Sequence, residues 1–112
     1  MELVGRLSQV GTQHVLHLSG DIDMATLPQL HDHLVRAGAL HLTTPLFVDL
    51  DGLLTLDDSG LGVLLGAAGR FRERGADLVL VCNNERFRAR FAVSGFDRAI
   101  TVVDRIAPAT PA

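Results

Sequence analysis

Apolar positions divide the chain into segments of different period. Leu3 to Val10 and His14 to Leu18 are two β-type runs separated by Gly11-Thr12-Gln13, a Gly-bearing loop that predicts a hairpin. After Gly20 the period changes to that of a helix. Leu27, Leu30 and Leu34 recur at helical spacing, Thr26 is a candidate cap, and Pro28 is tolerated in the first turn, so a helix is predicted over roughly residues 26–37, ending at Gly38. Pro45 introduces Leu46-Phe47-Val48-Asp49-Leu50, an apolar run that reads as a buried, central strand. From Ser59, the residues Leu61, Leu64, Leu65, Ala68 and Phe71 follow the i, i+3, i+4, i+7 pattern of a second helix. It ends in Arg70, Arg72 and Arg74 before Gly75. Asp77 to Cys82 reads as another buried strand. Asn84 then caps a third helix whose Phe87 and Phe91, one turn apart, mark a core stripe closed by Gly95. Ala99 to Val103 is the last strand.

The resulting order, β-β-α-β-α-β-α-β, predicts an α/β fold with a mixed, mostly parallel sheet. A single domain is expected over residues 1–106, and the Pro- and Ala-rich residues 107–112 read as a frayed tail.

Composition narrows the function classes. At 112 residues, with 47% hydrophobic and 21% charged positions, the chain has the make-up of one soluble domain rather than a disordered segment. Ten basic against 13 acidic residues leave a formal charge of −3, and no dense basic cluster exists to track phosphates, so direct nucleic-acid binding is not expected. Cys82 is the only cysteine, which excludes an internal disulfide and a multi-cysteine zinc site. No apolar run reaches the roughly 18 residues of a membrane span, and the start Met1-Glu2-Leu3-Val4-Gly5-Arg6 lacks signal-peptide architecture, so a cytoplasmic location is expected. All ten basic residues are arginine, which removes lysine nucleophiles and Schiff bases. His31 and His33 are two apart on a helix and His14 and His17 three apart on a strand, so neither pair shares a face for a metal. The histidines read as solvated, and no metal or cofactor is predicted.

Three motifs invite a chemical reading. Asp49-Leu50-Asp51-Gly52 resembles the Asp-x-Asp-Gly-Thr nucleophile motif of haloacid dehalogenase-type phosphatases. The expected Thr is Leu53, however, and a strand end followed by an Asp-Gly turn is the simpler account. Gly60-Leu61-Gly62 lacks dinucleotide spacing, and Asp57 and Asp58 would put negative charge where a phosphate must lie. Gly62, Gly66 and Gly69 form a bare stripe at i, i+4, i+7. Each costs about 1 kcal/mol relative to Ala, so the stripe serves either close packing or a partner-binding groove.

Leu56-Asp57-Asp58-Ser59-Gly60-Leu61-Gly62, at a loop-to-helix junction after a buried strand, resembles the signature of STAS domains of the anti-sigma factor antagonist type. Gly20-Asp21-Ile22-Asp23 resembles the family's Gly-Glu-Leu/Ile-Asp segment, and Phe91-Ala92-Val93-Ser94-Gly95-Phe96 its Phe-x-x-x-Gly-Leu. The resemblance spans nearly the whole chain and implies the STAS fold. It also implies a non-enzymatic switch: the unphosphorylated antagonist binds an anti-sigma factor, and a serine kinase, often that same factor, phosphorylates it and breaks the complex. The family's phosphoacceptor serine falls on Asp58, leaving Ser59 as an alternative acceptor or cap. Asp58 itself reads as an N-cap and as a fixed charge at the phosphoacceptor position. The expected partner surface comprises Asp21, Asp23, Asp57, Asp58, Ser59, Gly60, Gly62 and Gly66, and the expected partner is an anti-sigma factor of the serine-kinase type. The alternative is a STAS subunit of another assembly, transporter-associated or stress-sensing.

Overall fold

Gly11, at φ 62°, makes the tight turn that folds β1 (Leu3–Val10) back on β2 (Gln13–Ile22) as an antiparallel pair. In the computed structural model, which describes residues 2–40, 42 and 44–106, β2 then pairs in parallel with β3 (Leu46–Leu56). The parallel ladder continues to β4 (Leu78–Val81) and β5 (Thr101–Val103), giving one sheet in the order β1-β2-β3-β4-β5 with β3 at its centre. The expected tail over 107–112 lies outside the described residues.

The crossovers carry α1 (Leu27–Gly38), α2 (Asp58–Glu73), α3 (Glu85–Ser94) and α4 (Phe96–Ala99). Asn84 caps α3 as predicted, its side chain accepting the Phe87 N–H at 3.1 Å, and Gly95 ends α3 in the left-handed region at φ 77°. The single turn of α4 follows directly, so β5 begins at Thr101 rather than at Ala99. Thr26 stands at the N-cap of α1 but makes no side-chain cap bond. Its hydroxyl donates to the Asp21 carbonyl at 2.9 Å and accepts the Asp23 N–H at 3.0 Å, knitting the loop before the helix instead.

Strand β3 is the main departure from the sequence pattern. It does not stop at an Asp-Gly turn but runs through Asp51 and Gly52 to Leu56. Between His17 and Ser19, and again between Gly20 and Asp21, the register with β2 shifts by one extra residue on β3. These bulges bend the strand without ending its pairing. Leu16, Leu18, Val48, Leu50 and Leu80 bury the helix-facing side of the sheet against Leu30, Leu34, Leu64, Phe71, Phe87 and Phe91. The pairing of Phe87 with Phe91 as core residues therefore holds, and Phe91 stacks on Phe96 with ring centroids 5.0 Å apart.

The glycines of α2 fall into two kinds. Gly60 is buried, and a Cβ there would collide with the Ile22 Cγ2 of β2, so this glycine lets helix and strand approach closely. The stripe is different. A Cβ on Gly62 or Gly69 would meet nothing within 4 Å among the described residues, and one on Gly66 only the Arg70 guanidinium at 3.4 Å, so close packing does not explain it. In urea denaturation, Gly62→Ala is expected to raise stability by about 1 kcal/mol by relieving the helix cost of glycine. Gly60→Ala is expected to lower it by about 1–3 kcal/mol through overpacking. The reverse order would contradict this packing.

Candidate functional site

Parallel pairing of β2 with β3 sets Asp21 beside Thr55 and Ile22 beside Leu56, and the Asp57 N–H extends the ladder by bonding the Ile22 carbonyl at 2.9 Å. Two acidic segments, Asp21 to Asp23 and Asp57 to Asp58, are thereby held at the same end of the sheet. Asp21 is only 6% exposed and its carboxylate accepts the Thr55 hydroxyl at 2.7 Å, so it fixes the loop from beneath. Asp23 lies nearer the surface, where its Oδ1 accepts the N–H groups of Ala25 and Thr26 at 2.9 and 3.1 Å.

At the start of α2 the cap is Asp57, not Asp58. Asp57 has extended backbone, with φ −79° and ψ 150°, and its carboxylate accepts the Ser59 N–H at 3.3 Å. Asp58 is the first helical residue, favoured there by the positive end of the helix dipole but free to point its carboxylate elsewhere. It points at Arg90 on α3, whose Nη2 donates to Asp58 Oδ1 at 2.5 Å while Nη1 donates to the Leu56 carbonyl. Arg90 thus spans the strand end and the helix start. Ser59 turns inward: its Oγ is buried and finds no hydrogen-bond partner among the described residues, so the hydroxyl neither caps the helix nor faces solvent.

A cleft of about 430 Å³ opens between the end of β3 and α3, lined by residues that include Asp23, Leu54, Asp57, Arg86, Phe87 and Arg90. Its surroundings are unusually apolar for a surface. Leu54 is 78% exposed and Val93 91%, and Met24 projects beside Asp23. The acidic residues at this end of the sheet are thus flanked by exposed aliphatic side chains. Gly62, one turn beyond Asp58, and Gly66, one turn further, continue the same helix face as exposed backbone, while Gly60 shapes it from within.

Arg90 is the residue that sequence reasoning missed, since in the run Arg86, Arg88 and Arg90 it reads as part of a solvated face. The only local signal is its position three residues after core Phe87 and one before core Phe91, on the flank of the buried stripe. The Asp49 and Asp51 carboxylates are occupied by the fold: Asp49 accepts from Asp51 N–H and His17, and Asp51 from the Asn83 N–H at 2.7 Å. Cys82 is buried at the end of β4, and that burial pushes its thiol above the usual cysteine range. Among the described residues no group of three His, Cys, Asp or Glu is placed to share a metal ion, and no helix is long and apolar enough to cross a membrane.

Comparison with known proteins agrees with this architecture. The family model described as "Mlab, STAS domain" matches residues 6–104. An anti-sigma-B factor antagonist from Listeria monocytogenes is 28% identical over 107 residues, covering 91% of this chain and 90% of the relative. The crystal structure of an anti-sigma factor antagonist from Mycobacterium paratuberculosis superposes with a TM-score of 0.77 at 22% identity, over 94% of this chain and 88% of that one. The anti-sigma factor antagonist SpoIIAA in its unphosphorylated form gives 0.66 at 19% identity, over 92% and 90%. With the model match covering almost the whole molecule, the chain belongs to the STAS-domain family.

Proposed function

We propose that this protein is an anti-sigma factor antagonist that acts by binding, that its partner is an anti-sigma factor of the serine-kinase type, and that Asp58 holds its contact site in one charge state. The name of the Listeria relative supports the antagonist reading, and the apolar, acidic patch around the start of α2 supports action through protein contact. One observation carries the charge argument: the Asp58 carboxylate is met by Arg90 of the same chain.

A phosphoserine adds a charge of about −1.5 to −2, enough to repel a partner shaped for a neutral hydroxyl. Asp58 carries a single charge, and the Arg90 guanidinium offsets it locally. The site therefore presents a nearly neutral pair in place of an exposed anion, and it stays competent to bind. Because the switch position holds a carboxylate, phosphoryl transfer to it by a serine kinase is closed, since such enzymes need a hydroxyl in line with the γ-phosphate. Ser59 is no substitute, with its Oγ buried away from an incoming phosphate. The protein on this reading is a constitutive antagonist.

Mass spectrometry after incubation with the kinase partner and ATP tests the charge reading. Wild type is expected to gain no phosphate and Asp58→Ser to gain one; a phosphate on wild type that disappears in Ser59→Ala contradicts it. The contact surface has its own test in Gly66→Arg, which places a bulky cation on exposed backbone where, among the described residues, a Cβ meets nothing but the Arg70 guanidinium within 4 Å. The variant is expected to fold and to lose partner affinity by about tenfold or more. Undiminished binding by a folded Gly66→Arg places the contact elsewhere. Capture of a transporter ATPase or a scaffold in place of an anti-sigma factor favours the second reading, a STAS subunit of another assembly.

A further inference from the structure

His17 lies between core residues Leu16 and Leu18, so its ring projects from the sheet face opposite the helices, where the pairing brings three strands' side chains together. Its Nδ1 is 2.9 Å from Asp49 Oδ2, across the β2–β3 ladder, and its Nε2 is 2.9 Å from Ser8 Oγ on β1. An ionised carboxylate only accepts, so Nδ1 carries the proton and donates to Asp49. That leaves the Nε2 lone pair to accept from the Ser8 hydroxyl. Asp49 is itself held, its Oδ1 taking the Asp51 N–H at 2.9 Å. The bulge that follows Asp49 in β3 is what lets this backbone N–H turn to its neighbour's carboxylate.

We propose that Ser8 is an activated nucleophile and a site of covalent acylation by activated esters, with His17 as its base and Asp49 as the residue that positions the imidazole. Hydroxyl, base and orienting carboxylate are each within hydrogen-bond reach of the next, the arrangement that nucleophilic serine chemistry requires. None of the three belongs to the contact site at α2, so the inference stands apart from the antagonist reading. The side chains of His17 and Asp49 are 29% and 24% exposed, sheltered enough to hold the relay and open enough for a small reagent. Arg6, the register partner of His17, lies on the same face of the sheet. Ser8 is in register with Val15, Phe47 and Val79, an apolar row beside which an acyl group can lie.

With p-nitrophenyl acetate, Ser8 Oγ bonds to the carbonyl carbon as its proton passes to His17 Nε2. The bond from that carbon to the phenolic oxygen then breaks, and p-nitrophenolate leaves with the electron pair. His17 returns its proton to water, and acetyl-Ser8 remains. Peptide mapping by mass spectrometry after brief exposure of the folded protein to this ester reads the outcome directly. The acetyl group is expected on Ser8 ahead of the exposed Ser19 and Ser94, with the rate falling about a hundredfold in His17→Gln and about tenfold in Asp49→Asn. Circular dichroism establishes that each variant is folded, and the comparison of serines within wild type decides the matter even where a variant is not. Acetylation of Ser8 no faster than that of Ser19 and Ser94, or an unchanged rate in folded His17→Gln, would overturn the proposal and leave the three residues as a structural ladder.

Discussion

Arg90 is the group on which the junction of β3 and α2 depends, because from α3 its side chain bonds both the last residue of the strand and the first residue of the helix. Its guanidinium is planar and presents donors in a fixed fork, so one side chain reaches both the Leu56 carbonyl and the Asp58 carboxylate. Asp58 is 83% exposed, and an ion pair so open to water contributes at most about 1 kcal/mol to folding. The consequence is positional and electrostatic. Arg90 lines one wall of the cleft and holds the Asp58 carboxylate against it, a cation beside the anion at the helix start.

The junction that Arg90 grips exists because β3 does not stop where its sequence invites it to. Asp51-Gly52 has strong turn character, yet β3 lies between β2 and β4 and has partners on both sides over its first half. Continued pairing with β2 absorbs the surplus residues as bulges and delivers Leu56 and Asp57 to the Ile22 carbonyl. Gly60 then allows the first turn of α2 to sit against Ile22. Strand, bulge and close approach together present Asp57 as a cap and leave Asp58 free to face Arg90.

Periodicity made the elements legible because leucine and phenylalanine spacing decides which face is buried, and Phe87, Phe91 and the leucines of α2 took the places that spacing assigns. The motif around Asp57 to Gly62 made the site legible by resemblance. What stayed hidden depends on residues distant in sequence. Asp58 and Arg90 are 32 positions apart, as are His17 and Asp49, and no local pattern records either pairing. Short-range ambiguity hid other features: adjacent Asp57 and Asp58 are both good caps, and only backbone geometry selects the first. Histidines that read as solvated include His17, whose partners come from strands on either side.

Charge masking at Asp58 is tested most directly by a double-mutant cycle on partner affinity, measured by calorimetry with the anti-sigma factor for wild type, Asp58→Asn, Arg90→Gln and the double variant. The account predicts that Arg90→Gln weakens binding by about tenfold, equivalent to about 1.4 kcal/mol, because it uncovers the Asp58 charge. It further predicts that adding Asp58→Asn brings affinity back to within about twofold of wild type. If Asp58→Asn fails to restore the affinity lost in Arg90→Gln, the uncovered charge is not the cause and the account is contradicted.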